Sequence, residues 1–120
     1  MDDLPGSGDS DVDAFVDANL RSFAAWDIAV YLDHHLEVKA GVAELAGRLG
    51  RKEDEIESVL RHFVDHGVAV ASADSDGVTR FCLSDDSEVR RVLARFVDLA
   101  KVREIRLEVV RRVLTLMPRA

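Results

Sequence analysis

The 120-residue sequence predicts a mainly α chain that carries one small β-hairpin and is bounded by long N- and C-terminal helices. Three observations predict it. Apolar residues recur at helical spacing in four separate stretches. A DSDG turn signature at 74–77 separates two short extended runs. Neither Gly nor Pro interrupts residues 85–116, which leaves a long uninterrupted helical stretch. A chain of this length builds one core, and 48% hydrophobic residues are enough to fill it.

In chain order, residues 1–10 (MDDLPGSGDS) have the composition of a disordered acidic tail. From Asp11 a helical stripe runs through Val12, Val16, Phe23, Trp26 and Val30, with Ser10 or Asp11 as cap and Asp13 and Asp17 near the positive end of the helix dipole. Between Phe23 and Leu32 the apolar residues spread around the helix, which calls for contacts on more than one side. Residues 33–40 connect, with room for a very short strand near Leu36–Val38. Val42, Leu45, Ala46 and Leu49 form one face of a short helix, and Gly50 sits where a left-handed cap belongs. A third helix over 52–66 buries Ile56, Val59, Leu60, Phe63 and Val64, with Glu53, Asp54, Glu55 and Glu57 crowding its start. Residues 68–83 read as a hairpin, with Thr79, Phe81 and Leu83 on one face. Ser84 or Asp85 caps the last helix, where Asp85 and Glu88 have capping-box spacing. Its seam, Val89, Leu93, Phe96, Ala100, Arg103, Leu107, Val110, Leu114 and Met117, alternates steps of 4 and 3. Thirty such residues span ~45 Å, longer than a small body needs.

Charge excludes several functions. The net charge is −7, and residues 1–36 alone contribute that much, while 85–114 are net positive by two. General polyanion binding is therefore disfavoured, although a local basic patch is not. The single cysteine, Cys82, forms no internal disulfide. No apolar run approaches ~20 residues, so no membrane span is expected and cytoplasmic residence is the default. There is no phosphate loop and no HExxH, so catalysis is not expected. His62 and His66 have workable metal spacing, with His34, His35 and Cys82 as further donors, but no cysteine pair supports them and no metal or cofactor is expected.

Helix, short helix, sharp corner, third helix and hairpin, over 11–84, form the plan of a winged helix-turn-helix. The corner props the third helix outward, where it fits a major groove about 12 Å wide. The segment GVAELAGRLGRKEDEIESVLRHFVDHGVAV, residues 41–70, resembles the helix-turn-helix of bacterial winged-helix regulators. Val42, Leu45, Ala46 and Leu49 match the supporting helix; Ile56, Leu60 and Phe63 match the buried face of the recognition helix; Gly67 and Val68 match the step into the wing. From Phe15 to Leu114, including SFAAWDIAVYL, the chain is similar to small bacterial winged-helix proteins. The resemblance implies a homodimeric DNA-binding transcription regulator, or a relative that has lost DNA binding and serves as a protein-interaction module.

Candidate double-stranded-DNA contacts are Arg51, Lys52, Ser58, Arg61 and His62 on the third helix and Arg80 on the wing. The alternative is a solvated face in which pairs such as Glu57–Arg61 satisfy each other. The acidic helix start and the Asp74–Asp76 wing tip depart from the usual basic pattern. Candidate dimerisation residues are Phe23, Trp26, Phe96, Ala100, Arg103, Leu107, Val110 and Leu114, with 85–117 as a projecting dimerisation helix. Were that helix to fold back on its own subunit, a monomer would follow. A local reading of Trp26 as core or interface outweighs one as a ligand pocket.

Overall fold

The computed structural model describes residues 10–117. The tail reading for 1–10 lies outside the described residues, except for Ser10, which opens the first helix. The elements are α1 (Ser10–Asn19), α2 (Phe23–His34), β1 (Ala40–Gly41), α3 (Val42–Leu49), α4 (Glu53–Asp65), β2 (Ala69–Ala73), β3 (Thr79–Leu83), α5 (Ser87–Leu99) and α6 (Arg103–Leu116). The strands form one antiparallel sheet in the order β1-β3-β2. Ala40 pairs with Phe81, and Ala71 pairs with Phe81 from the other side. The succession α2, β1, α3, α4, β2, β3 is the winged-helix arrangement, with α1 in front and α5–α6 behind.

Both long helices of the sequence reading are pairs of shorter ones. The N-terminal stripe skips from Val16 to Phe23, and in that gap Ser22 stands extended (φ −160°, ψ 165°) and accepts the Ala25 N–H at 3.1 Å. A serine cap starts a new helix at Phe23. The C-terminal stretch bends at Ala100–Val102 with no glycine or proline to force it. The lost helical bonds are partly replaced: the Ala100, Lys101 and Val102 N–H groups donate to Phe96, Asp98 and Leu99 carbonyls, and Arg106 Nη1 donates to the Ala100 and Lys101 carbonyls. The bend turns α6 back onto α1 and buries Ile105, Val109 and Val113. Burying three branched side chains contributes roughly 5–9 kcal/mol. One or two weakened backbone bonds cost about 1–3 kcal/mol, so folding back wins. The single projecting dimerisation helix expected over 85–117 is thereby corrected to two helices joined by a bend, the second packed on α1.

Smaller corrections follow. The first strand is at Ala40–Gly41 rather than Leu36–Val38, because the Ala40–Phe81 pairing sets its position. The cap of α5 is Asp86, whose Oδ1 accepts the Glu88 and Val89 N–H groups at 2.8 and 3.1 Å. On β3, Phe81 and Leu83 are buried as expected, but Thr79 at the hairpin mouth is exposed. Gly50 closes α3 in the left-handed region (φ 66°), which makes the sharp corner between α3 and α4.

The core lies between α2, α4 and α5. Ile28, Leu32, Leu45, Ile56, Leu60, Phe63, Leu83, Leu93 and Phe96 are all essentially inaccessible. Phe96 also meets Phe15 of α1 and Trp26 of α2, each at 5.9 Å between ring centroids. This fixes α4 by its apolar face and leaves its polar face outward.

Candidate recognition face

The exposed side of α4 presents Glu53, Asp54, Ser58 and Arg61, with Lys52 just before it. The corner at Gly50 aims this side away from the core, as the sequence arrangement required. What sequence alone did not resolve is how the cations on this face are held. Arg51 is half-buried; its Nε and Nη2 reach Asp27 Oδ2 of α2 at 2.8 Å, and its Nη1 meets Glu55 Oε2 at 3.4 Å. Arg61 donates from Nε and Nη2 to Glu57 Oε2 at 3.1 and 2.7 Å. On the wing, Arg80 is clasped by Asp74 and by Asp76, whose Oδ2 lies 3.2 Å from Nη2. The Val78 N–H and then Arg80 hold the Asp76 carboxyl below the usual carboxylate range. Asp76 is therefore charged at neutral pH. Of the four cations expected to meet DNA, Lys52 has no carboxylate partner among the described residues.

Charge over this surface follows the same direction. Residues 51–66 and 74–80 hold four bases against Glu53, Asp54, Glu55, Glu57, Asp65, Asp74 and Asp76, a net of −3. The Glu57–Arg61 pair and the acidic wing tip are legible in sequence by i,i+4 spacing. The Asp27–Arg51 pair, 24 residues apart, is not. Ser58 is exposed at the edge of this side, and His62 is half-buried beside it. Both line a cavity against the α1–α2 corner, and the His62 ring, through Nε2, donates to the Ala18 carbonyl at 2.7 Å. His62 also stacks on His66 at 4.0 Å, which places it structurally between α1 and the end of α4.

Between α4 and the wing lies a groove of about 340 Å³. Val42, Val64, Ala71 and Phe81 form its floor, with Glu57, Asp65 and the tied Arg61 at its rim. An apolar floor beneath an acidic rim suits a protein side chain better than a phosphate backbone.

The dimerisation residues divide. Phe96 and Ala100 are interior to the single chain, at 0% and 9% exposure, and offer no outer surface. The reason is that α5 packs this face against α1 and α2, where Phe96 meets Phe15 and Trp26. Phe23, Trp26, Leu107 and Val110 instead line an open groove of about 510 Å³ between α2 and α6. Arg103 and Leu114 continue the same stripe of α6, and Leu107 and Leu114 are 46% and 59% exposed. The α6 helix thus has two apolar stripes, one buried on α1 and one left open.

No family model matches the chain, and no curated protein matches it. Among solved structures, a point mutant of ZitR from Lactococcus lactis is similar over 72% of this chain and 68% of that one, at 17% identity and a TM-score of 0.45. Similarity at that level says nothing about what this chain binds. The topology itself defines the class of fold, a winged helix. No described helix is long and apolar enough to cross a membrane.

Proposed function

We propose that the chain is a winged-helix regulatory module whose outward face, α4 with the wing, docks a basic surface of a partner protein. The observation that carries this reading is the acidic excess on the face, with Arg51, Arg61 and Arg80 each occupied by carboxylates of the same chain. A DNA-binding face gains affinity by releasing about one counterion per unpaired cation at a phosphate, and here seven carboxylates oppose that gain. The partner this surface suits offers an apolar side chain to the groove floor and Lys or Arg to its rim.

A second reading, a dimeric DNA-binding transcription regulator, is favoured by Lys52 and by the protruding polar side of α4, which has the placement a major-groove helix needs. Both readings take the chain as a homodimer joined through the α2–α6 groove, where Phe23, Trp26, Leu107, Val110 and Leu114 cover one another across a two-fold axis.

The combined substitution Glu57→Gln, Asp74→Asn and Asp76→Asn frees Arg61 and Arg80 while keeping an acceptor for the Val78 N–H. Fluorescence anisotropy with random duplex DNA at ~50 mM salt is expected to show at least a tenfold gain over the unaltered chain. The salt slope should steepen by about two per protomer. An unchanged affinity would mean that carboxylate pairing is not what limits DNA binding, and would remove the main support for the protein-docking reading.

A further inference from the structure

The two edges of the sheet are defended unequally. β1 is two residues long and runs straight into α3, so it offers an incoming strand almost nothing to pair with. β2 has five residues and pairs with β3 without a bulge, from Ala69↔Leu83 to Ala73↔Thr79. Its other side carries no strand, since the order is β1-β3-β2. Its sequence, Ala-Val-Ala-Ser-Ala, lacks the charges and prolines that usually keep an open edge from pairing.

Register decides which backbone groups this edge presents. The Ser84 N–H donates to the Val68 carbonyl at 2.9 Å, and the Asp74 N–H donates to the Val78 carbonyl at 3.1 Å. Hydrogen-bonded pairs alternate along an antiparallel ladder, so Val70 and Ser72 turn their peptide groups to β3. Those of Ala69, Ala71 and Ala73 point to the open edge. The same three side chains share the sheet face of their partners Phe81 and Leu83. Ala71 is exposed and lines the α4–wing groove with Phe81, so the open edge and the groove meet at this residue. On the groove rim, Glu57 is paired with Arg61, whereas Asp65 is exposed and has no cationic partner among the described residues.

Resting on the protein-docking reading above, we propose that the partner enters as an extended segment that adds a fourth strand, antiparallel to β2. The residue opposite Ala71 exchanges both backbone bonds with it and carries a large aliphatic side chain. That side chain passes over the Ala71 methyl onto Val64 and Phe81. Residues two places to either side face the same way and are Lys or Arg, one of them on Asp65. A second copy of this chain is a poor occupant, because pairing β2 with β2 lines up the carboxylates of both copies along one edge.

Fluorescence anisotropy of the full chain with the end-capped peptide Thr-Lys-Thr-Leu-Thr-Lys-Thr tests the geometry. Methylating the leucine nitrogen is expected to weaken binding at least tenfold. Methylating the next threonine nitrogen, which faces away from β2, should change it little. Replacing both lysines with glutamates should leave no binding at ~1 mM. Ala71→Pro keeps the β2–β3 ladder, which does not use that N–H, and is expected to lose the peptide at least tenfold. Should this variant fail to fold, the two methylated peptides still report the edge. Equal weakening by both methylations, or a folded Ala71→Pro chain that binds as before, would overturn the proposal. So would a change in the sedimenting mass of the chain alone on Ala71→Pro, which assigns the edge to a second copy. A helical Leu/Lys/Ala peptide of equal charge that binds where the extended one does not would overturn strand addition alone and leave the docking reading standing. Binding of neither peptide at ~1 mM would take both down.

Discussion

Arg112→Met is expected to destabilise the chain by about 3–5 kcal/mol, because it strands a carboxylate inside the fold. Asp13 is 4% exposed, and Arg112 Nη1 lies 3.3 Å from its Oδ1 and 3.1 Å from Asp17 Oδ1. The Arg112 side chain is itself 17% exposed and also reaches Glu108 at 3.8 Å. Methionine keeps much of the aliphatic packing between α6 and α1, so the loss reports the charge rather than the stem. In urea the midpoint should fall by roughly 1.5–3 M. Adding Asp13→Asn should recover at least half of that loss, since the uncompensated charge is then gone. A loss below about 1 kcal/mol would place the pair among ordinary surface contacts and would undercut the docking of α6 on α1.

Leu107→Asp with Leu114→Asp is expected to convert a dimer into a folded monomer. Both side chains are exposed on the open stripe of α6, so the substitution leaves the core stripe of Ile105, Val109 and Val113 untouched. In a two-fold interface each change acts twice. At roughly 1.5 kcal/mol or more per buried leucine, the dissociation constant should rise by at least about three orders of magnitude. Sedimentation at ~100 μM should then give the monomer mass, with an unchanged helical circular-dichroism spectrum. An unaltered chain that is already monomeric, or a variant that stays dimeric, would contradict the α2–α6 interface.

The contrast between the two stripes of α6 explains what was legible in the sequence. The supporting helix, the Gly50 corner, the buried face Ile56–Leu60–Phe63 and the wing are local patterns, and each occurs where spacing and turn chemistry put it. The break at Ser22 left a trace, since Asn19 interrupts an otherwise apolar stripe just before a capping serine. The bend at Ala100–Val102 left almost none. It carries no glycine or proline, and the 4–3 rhythm runs through it. Only the competition between that rhythm and Ile105–Val109–Val113 for a buried position decides it, and that competition is tertiary. Phe96 and Ala100 were therefore read as outer seam when they are core. On the candidate site, spacing revealed Glu57–Arg61, whereas Asp27–Arg51 and the cavity at the α1–α2 corner join residues far apart in the chain.

The acidic face of α4 and the wing is the central claim, and the most direct test is the affinity of the unaltered chain for random duplex DNA at ~50 mM and then ~200 mM salt. The protein-docking reading predicts no binding tighter than about 10⁻⁴ M at either salt. A dissociation constant near 10⁻⁶ M at the lower salt, weakening by a hundredfold or more at the higher, would contradict it and establish the recognition helix as a DNA reader.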